Sequence, residues 1–175
     1  MKWKGLKRMG TEKHRKDGVK RLKIAVITVS TTRNLSTDKS GMWIKKRAVK
    51  EGHQVVLHKV IPDDIEAVTN TALDIINQLN PNAILFTGGT GISSRDVTVE
   101  AMQPLFAKEL VAFGFIFAQL SFEEIDSAAV LSRSCAGIIG HTAVFCMPGS
   151  LKACKLACRE IIFPEIGHII KHIDE

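Results

Sequence analysis

The segment of this 175-residue sequence best suited to chemistry is a glycine-rich loop that could bind phosphate. Three glycines fall within residues 88–91, and a threonine precedes the first and the last of them. Glycines let backbone N–H groups approach an anion with no Cβ in the way, and threonine hydroxyls add donors. Each charge-assisted hydrogen bond contributes roughly 1.5–3 kcal/mol, so three or four suffice to hold an anion. The predicted phosphate-binding residues of this loop are Thr87, Gly88, Gly89, Thr90 and Gly91.

The two best-known phosphate motifs do not describe this loop. No Gly-Lys-Ser/Thr follows it, as in a P-loop. Its glycine spacing is not GxGxxG with an acidic residue about 20 positions later. On the glycines alone, a tight turn without a ligand is the alternative interpretation.

Two carboxylates, Asp63 and Asp96, lie at the ends of predicted strands near this loop. Mg²⁺ prefers hard oxygen ligands and completes its octahedron with substrate phosphates, so the pair is a candidate Mg²⁺ site. Asp96 could instead cap a helix that begins at Val97. The spacing alone does not decide between these roles.

Alternating strands and helices would position these groups. Short, β-branched apolar runs predict strands at residues 22–29, 54–60 and 83–86. Helical spacing predicts one helix from residue 40 to Gly52 and another after Asp64. This order predicts a parallel sheet with right-handed crossovers, which binds ligands beyond the carboxyl ends of its strands. Three polar loops fall there, at residues 62–64, 87–96 and 148–150.

The pattern after residue 96 is less regular. It predicts helical structure at residues 97–106 and 123–132 with an apolar segment at 113–122 between them, two strands at 138–139 and 143–147 joined by a Gly140-His141 turn, and a helix at 151–162.

Charge and composition predict one α/β domain with a basic tail. Residues 1–23 hold ten of the 24 Lys/Arg and only two of the 18 acids, so the net charge of +6 is concentrated there. We predict a flexible tail at residues 1–20 and a single domain at 21–175, and we expect no nucleic-acid function. There is no apolar run of membrane-spanning length and no secretory signal, so we expect a cytoplasmic protein without a membrane partner.

The cysteines and the C-terminal histidines favour structural roles. The four cysteines include no CxxC pair, which predicts reduced, mostly buried thiols. His168 and His172 share i, i+4 spacing near the C-terminus, where protonated imidazoles favour a helix end. No third ligand accompanies them, so the sequence favours this role over a metal site.

Several segments together resemble the MoaB/MogA family of molybdenum cofactor biosynthesis proteins, and the MoaB branch most closely. The main one is the twelve residues Thr87–Thr98, TGGTGISSRDVT. It is supported by Val60–Asp64, Pro148–Ser150 and Asp38–Gly41, and the similarity runs from about Lys23 to Ile170. A motif of this length with three supporting segments is highly specific.

The resemblance implies a three-layer α/β/α fold with a mostly parallel, doubly wound sheet, assembled as a trimer or a dimer of trimers. It implies adenylyl transfer: the AMP moiety of ATP, with Mg²⁺, passes to the terminal phosphate of molybdopterin, and pyrophosphate is released. Other proteins of the molybdenum cofactor pathway would be partners.

The family's functional residues can be carried onto matching positions of this chain. Asp63 and Asp96 match the functional carboxylates, both catalytic and metal-binding. The resemblance implies substrate or phosphate binding by Thr87, Gly88, Gly89, Thr90, Gly91, Ser93, Ser94, Arg95, Pro148, Gly149 and Ser150, with Asp38, Ser40 and Gly41 as further candidates.

The chain also departs from the family pattern. The family usually has Pro-Gly-Phe-Gly-Glu where this chain has Val111–Phe115, an Arg where it has Ala118, and a proline where it has Leu151. The joint loss of the Glu and the Arg is either a compensated swap or the mark of a pterin-binding protein with weak or no transferase activity.

The apolar segment at residues 113–120 predicts a subunit interface, with Phe115 and Phe117 as candidate buried contacts.

Overall fold

The structure is a computed structural model, and it describes residues 21–175. The expected domain boundary at residue 20 and the basic segment before it lie outside the described residues. The first elements follow the predicted order. They are β1 (Lys23–Val29), α1 (Lys39–Lys50), β2 (Gln54–Ile61), α2 (Ile65–Leu79) and β3 (Ala83–Thr87).

The predicted ends of the two helices are confirmed. The Asp64 side chain accepts a hydrogen bond from Ala67 N at 2.8 Å and so caps α2. Gly52 follows α1 with φ +92°, the left-handed conformation that ends helices.

The second half begins with α3 (Thr98–Met102) and a 3₁₀ turn at Gln103–Leu105. The remaining elements are β4 (Lys108–Glu109), α4 (Val111–Ile125), β5 (Cys135–Ile139), β6 (Thr142–Met147), α5 (Leu151–Ala157) and α6 (Phe163–Asp174). A π-helical turn, Cys158–Ile162, joins α5 to α6.

The structure of this half differs from the sequence analysis in two places. The helix predicted at 123–132 does not begin at residue 123, because α4 already includes the apolar segment at 113–122 and ends at Ile125. The next residue, Asp126, has φ +55° and starts a 3₁₀ turn, Asp126–Leu131. The two-residue strand β4 was not predicted, because it is too short to show a strand pattern.

The described residues form a six-stranded sheet in the order β2-β1-β3-β6-β5-β4. The pairs β1–β2, β1–β3 and β3–β6 are parallel, whereas β5 runs antiparallel to both β6 and β4. The predicted Gly140-His141 turn joins β5 to β6. The carboxyl ends of the other five strands and the start of β5 therefore lie at the same end of the sheet.

Helices cover both faces of the sheet, and β1 shows how the sequence divides between them. Ile24 and Val26 pack with α1, α4, α5 and α6 in one core cluster, whereas Ala25, Ile27 and Val29 pack with α2 and α3 in the other. Alternate side chains of a strand point to opposite faces, so both faces are apolar. This is the predicted three-layer α/β/α fold. Within the described chain, no helix combines the length and apolar character needed to cross a bilayer.

The two phenylalanines predicted to lie at a subunit interface are on different sides of helix α4. Phe117 is 1% exposed and stacks on Phe113 with ring centroids 6.3 Å apart, so it belongs to the core and the prediction for it was wrong. Phe115 is 72% exposed on the other side of the helix. Of these two phenylalanines, Phe115 is the one that a second subunit could contact.

Candidate functional site

The three loops predicted to meet at the carboxyl ends of the strands surround one cavity of about 460 Å³. It is open to solvent and lies above β1, β3 and β6. The predicted residues that line it are Asp63, Gly88, Gly89, Thr90, Gly91, Asp96, Pro148, Gly149 and Ser150. The sequence prediction therefore identified most of the cavity wall.

Glycines are needed for two different reasons, one in the glycine loop and one in the loop after β6. Gly88 and Gly89 have φ of +99° and +62°, in the left-handed region that other residues rarely adopt. Gly149, in the loop after β6, lies so close to the glycine loop that a Cβ on it would be 3.1 Å from Gly88 Cα. Hydrogen bonds from Thr98 then fix the loop, with Oγ1 donating to Gly88 O and N donating to Gly89 O, both at 2.8 Å.

Thr87 supports the loop instead of contacting the cavity, contrary to its predicted role as a phosphate donor. It is fully buried, and its hydroxyl donates to Pro148 O at 3.1 Å and lies 3.0 Å from Cys154 Sγ. The hydroxyl thus ties the end of β3 to the loop after β6. Ser93, Ser94 and Arg95 are exposed and lie outside the cavity lining.

The two candidate carboxylates each bind a neighbouring loop through one oxygen. Asp63 Oδ2 accepts from Thr31 N at 2.6 Å and Thr31 Oγ1 at 2.5 Å. Asp96 Oδ2 accepts from Ser93 N at 2.9 Å. Among the described residues, no hydrogen bond is made to Oδ1 of either carboxylate, so each could contribute that oxygen to a cation.

The interpretation of Asp96 as a helix cap was wrong. The residue at the cap position of α3 is Val97, without a side-chain hydrogen bond to the helix. The Asp96 side chain turns back to Ser93 and closes a tight turn, in which Asp96 N also donates to Ser93 O at 2.9 Å. Asp96 therefore faces the cavity and not the helix.

Asp38, Ser40 and Gly41 lie behind the cavity wall and support it. Asp38 is fully buried, caps α1 through Gly41 N at 2.9 Å, and also accepts from Thr28 Oγ1 and His58 Nε2. Burial alone would raise the pKa of Asp38, but these hydrogen bonds outweigh it and lower the pKa below its ordinary 3.8. Ser40 Oγ donates to Gly149 O at 2.9 Å, so α1 positions the loop after β6.

Two arginines that the sequence analysis missed bind the site loops. Arg33 lines the cavity, and its Nη1 donates to Gly149 O at 3.1 Å. Arg133 donates to backbone carbonyls of the glycine loop. Arg33 follows β1 and could have been found from its position at a strand end. Arg133 precedes β5, and it reaches this edge only because β5 is antiparallel to β6.

Three further lining residues come from the segment that leads from α4 to β5. They are Ala128, Leu131 and Ser132. They could not be identified from the sequence, since the pattern at residues 123–132 predicts an ordinary helix. A second cavity of about 630 Å³ adjoins the first, shares Ser30 and Arg33 with it, and includes Lys59.

In the described part of the chain, no group of three or more His, Cys, Asp or Glu residues is placed to hold a metal. A cation at Asp63 and Asp96 would therefore take further ligands from phosphate or water, which is the usual mode of Mg²⁺.

His168 and His172 contact each other through Nε2 atoms 2.8 Å apart on the last helix. The four cysteines are buried free thiols, as predicted, and burial raises the pKa of Cys154 to about 11.

Comparison with known proteins matches this architecture to one family. A family model described as "Probable molybdopterin binding domain" matches residues 25–168. Molybdenum cofactor biosynthesis protein B of Bacillus subtilis is 43% identical over 166 residues, which cover 94% of this chain and 98% of that protein. Molybdopterin adenylyltransferase of Pyrococcus furiosus is 42% identical, covering 95% of this chain and 100% of the relative.

Solved structures agree with the sequence matches. A crystal structure of a molybdenum cofactor biosynthesis protein B has a TM-score of 0.86 at 40% identity, covering 89% of this chain and 97% of that one. The tungsten cofactor synthesizing protein MoaB from Pyrococcus furiosus has a TM-score of 0.78 at 39% identity, covering 90% and 99%. The family model spans nearly all of the sheet and the cavity, so the chain belongs to the molybdopterin-binding MoaB/MogA family of molybdenum cofactor biosynthesis proteins.

Proposed function

We propose that this protein binds molybdopterin and adenylylates it. An oxygen of the terminal phosphate of molybdopterin attacks the α-phosphorus of ATP, the bond from that phosphorus to the β-phosphate oxygen breaks, and pyrophosphate leaves. The observation that carries the proposal is the cavity in which a glycine loop, Arg33 and two carboxylates converge. Relatives at 39–42% identity bear the name molybdopterin adenylyltransferase.

The reaction consists mainly of holding two anionic phosphates together while their charge is offset. Backbone N–H groups of the glycine loop and of the loop after β6 would bind phosphate oxygens, and Arg33 would add a positive charge at the boundary of the two cavities. Asp63 and Asp96 would hold Mg²⁺, which when bound neutralises part of the phosphate charge. Two adjoining cavities would accommodate a substrate pair larger than either cavity alone.

A pterin-binding protein without transferase activity is the second candidate, because Phe115 and Ala118 replace the family's Glu and Arg. Both residues lie on α4, outside the lining of the cavity, and Phe115 is exposed. Their position therefore supports the transferase over the binding protein.

Pyrophosphate release by the purified full-length chain tests the proposal. With molybdopterin, ATP and Mg²⁺, we expect pyrophosphate and adenylylated pterin in equal amounts, and neither product when the pterin or Mg²⁺ is omitted. Pterin binding without pyrophosphate would support the binding protein instead. If molybdopterin does not bind at all, both candidates are wrong.

A further inference from the structure

The Arg133 side chain binds the glycine loop, although it lies 42 residues beyond Gly91 in the sequence. Its Nε donates to Thr90 O at 3.1 Å and to Gly91 O at 2.9 Å. Its Nη2 lies 3.4 Å from Asp96 O. One guanidinium therefore contacts backbone carbonyls on both sides of the turn that carries Asp96.

The other edge of the guanidinium binds a carboxylate on α3. Nη1 and Nη2 donate to Glu100 Oε1 and Oε2 at 2.5 and 3.1 Å, a bidentate pair. The hydrogen bond from Arg133 lowers the pKa of Glu100. Because Glu100 balances the charge of Arg133, the main contribution of the arginine to the loop is geometric.

The geometry of the peptide bond determines which backbone N–H groups these carbonyl contacts orient. In a trans peptide, the C=O and the N–H of the same unit point in opposite directions. Holding the carbonyls of Thr90 and Gly91 on the Arg133 side therefore directs the next N–H groups, those of Gly91 and Ile92, away from it. Gly91 lines the cavity and Arg133 does not, so an anion would bind on the side of the loop away from Arg133.

We propose that Arg133 is a positioning residue: it holds the glycine loop so that the N–H groups of Gly91 and Ile92 bind a phosphate of a substrate. This rests on the proposed function for the identity of that substrate, a nucleotide or a phosphorylated pterin. Lysine cannot replace Arg133, because a single ammonium cannot contact the two loop carbonyls and both Glu100 oxygens in the fixed geometry of the guanidinium fork.

Two variants that break the same ion pair separate loop positioning from simple stabilisation. Arg133→Lys loses the ion-pair geometry and the bonds to the loop, whereas Glu100→Gln weakens the ion pair but leaves the bonds from Nε to the loop. Arg47→Lys, in the Arg47–Glu51 pair of α1, controls for the same chemical change away from the cavity. Each folded variant is measured for melting temperature, for kcat and the KM of ATP and of molybdopterin, and for binding of inorganic pyrophosphate.

For Arg133→Lys we expect at least a tenfold rise in one KM, and a tenfold weaker affinity for pyrophosphate, with a melting temperature close to that of Glu100→Gln. The KM that rises identifies the substrate whose phosphate the loop binds. Glu100→Gln should bind pyrophosphate as tightly as the wild type or more tightly, and Arg47→Lys should not change binding.

The proposal is overturned if Arg133→Lys changes neither KM nor pyrophosphate affinity by more than twofold, or if Glu100→Gln loses affinity to the same extent. Failure of the adenylylation proposal is distinguishable, because pyrophosphate binding needs no turnover. A wild-type protein that binds pyrophosphate without forming product would leave the Arg133 comparison intact. A wild-type protein that binds neither pyrophosphate nor either substrate would overturn both proposals.

Discussion

Asp63 and Asp96 each divide their two oxygens between a neighbouring loop and the cavity. The loop-facing oxygen accepts a backbone N–H group, and among the described residues the other oxygen accepts no hydrogen bond, so we propose that it binds the cation. An asparagine at either position keeps an oxygen that can accept these hydrogen bonds, but it removes the charge. The structure therefore allows charge to be removed without removing the loop contacts.

We predict that Asp63→Asn and Asp96→Asn abolish most turnover and leave the fold intact. Loss of an outer partner of a metal ligand already costs roughly 10–100-fold, and loss of a ligand should cost at least that much. Steady-state kinetics would measure the loss, and circular dichroism would monitor the fold. Pterin binding should persist, and normal turnover by both variants would contradict the assignment.

Gly41 is the glycine with the least room for a side chain behind the site. A Cβ there would overlap Asp38 Oδ2 and would lie 2.7 Å from Thr28 Oγ1. We predict that Gly41→Ala lowers the free energy of unfolding by about 3 kcal/mol, because overpacking in a rigid polar cluster forces the cap of α1 apart. For a domain of this size, the melting temperature should fall by roughly 2–4 °C per kcal/mol.

Gly114→Ala is the matched control for this substitution. Gly114 lies within α4, and a Cβ there would meet only Ser134 O at 3.3 Å. Alanine also favours a helix interior over glycine by about 1 kcal/mol. Stability should therefore change little. Equal losses in the two variants would show that the crowding around Asp38 does not determine the cost.

At the scale of elements, the start of α1 should make the protein sensitive to acid. The folded pKa of Asp38 is lowered, so its contribution to stability is present above the unfolded value near 3.8 and is lost as pH falls through the folded value. Asp38→Asn keeps a good helix cap without the titrating charge. In urea unfolding, we expect the wild type to lose stability more steeply than this variant below about pH 4. Parallel profiles would exclude Asp38 as the cause.

The elements that the sequence predicted best are those with long, regular patterns. Helix α2 shows an apolar stripe and a cap at Asp64, and β1 is a continuous apolar run, so both could be located from local residues alone. Strand β4 could not, since two exposed residues, Lys108 and Glu109, become a strand only by pairing with β5. The end of α4 was missed because Asp126, an exposed residue, adopts a left-handed conformation there, which the sequence did not predict.

The candidate site divides in the same way. Its glycine loop and carboxylates are adjacent to predicted strand ends. Because the carboxyl ends of parallel strands lie at the same end of a sheet, the sequence alone predicted that these groups lie close together. Thr87 was given the wrong role because nothing local indicates that its hydroxyl is buried against Pro148. Arg133 was missed because its contact with the loop depends on the antiparallel β5, a feature of topology and not of spacing.

At the scale of the whole molecule, α4 and the turn after it leave several large apolar side chains exposed. Those more than half exposed are Val111, Phe115, Phe122, Val130 and Leu131. Val111, Phe115 and Phe122 are spaced to lie on one face of α4, and a large exposed apolar patch marks an interaction site. We predict that the chain assembles as a trimer or a dimer of trimers through this surface.

Phe115→Lys tests the assembly, because a charge at the centre of a packed interface is left desolvated and unpaired. Light scattering should give three or six times the 19.2 kDa chain for the wild type and a smaller species for the variant. Val49→Lys, at an exposed position of α1, should leave the mass unchanged. A wild-type monomer at micromolar concentration would contradict the prediction.

The order of the sheet also has a consequence for protein synthesis. β6 is the last strand to leave the ribosome, yet it lies between β3 and β5. Until it emerges, the nascent chain holds β1, β2 and β3 with one edge of β3 unpaired, and unpaired edges are sites of aggregation. A chain truncated before Thr142 therefore lacks the strand that joins the two halves of its sheet, and translational arrest there should yield a substrate for chaperones and proteases instead of a stable fragment.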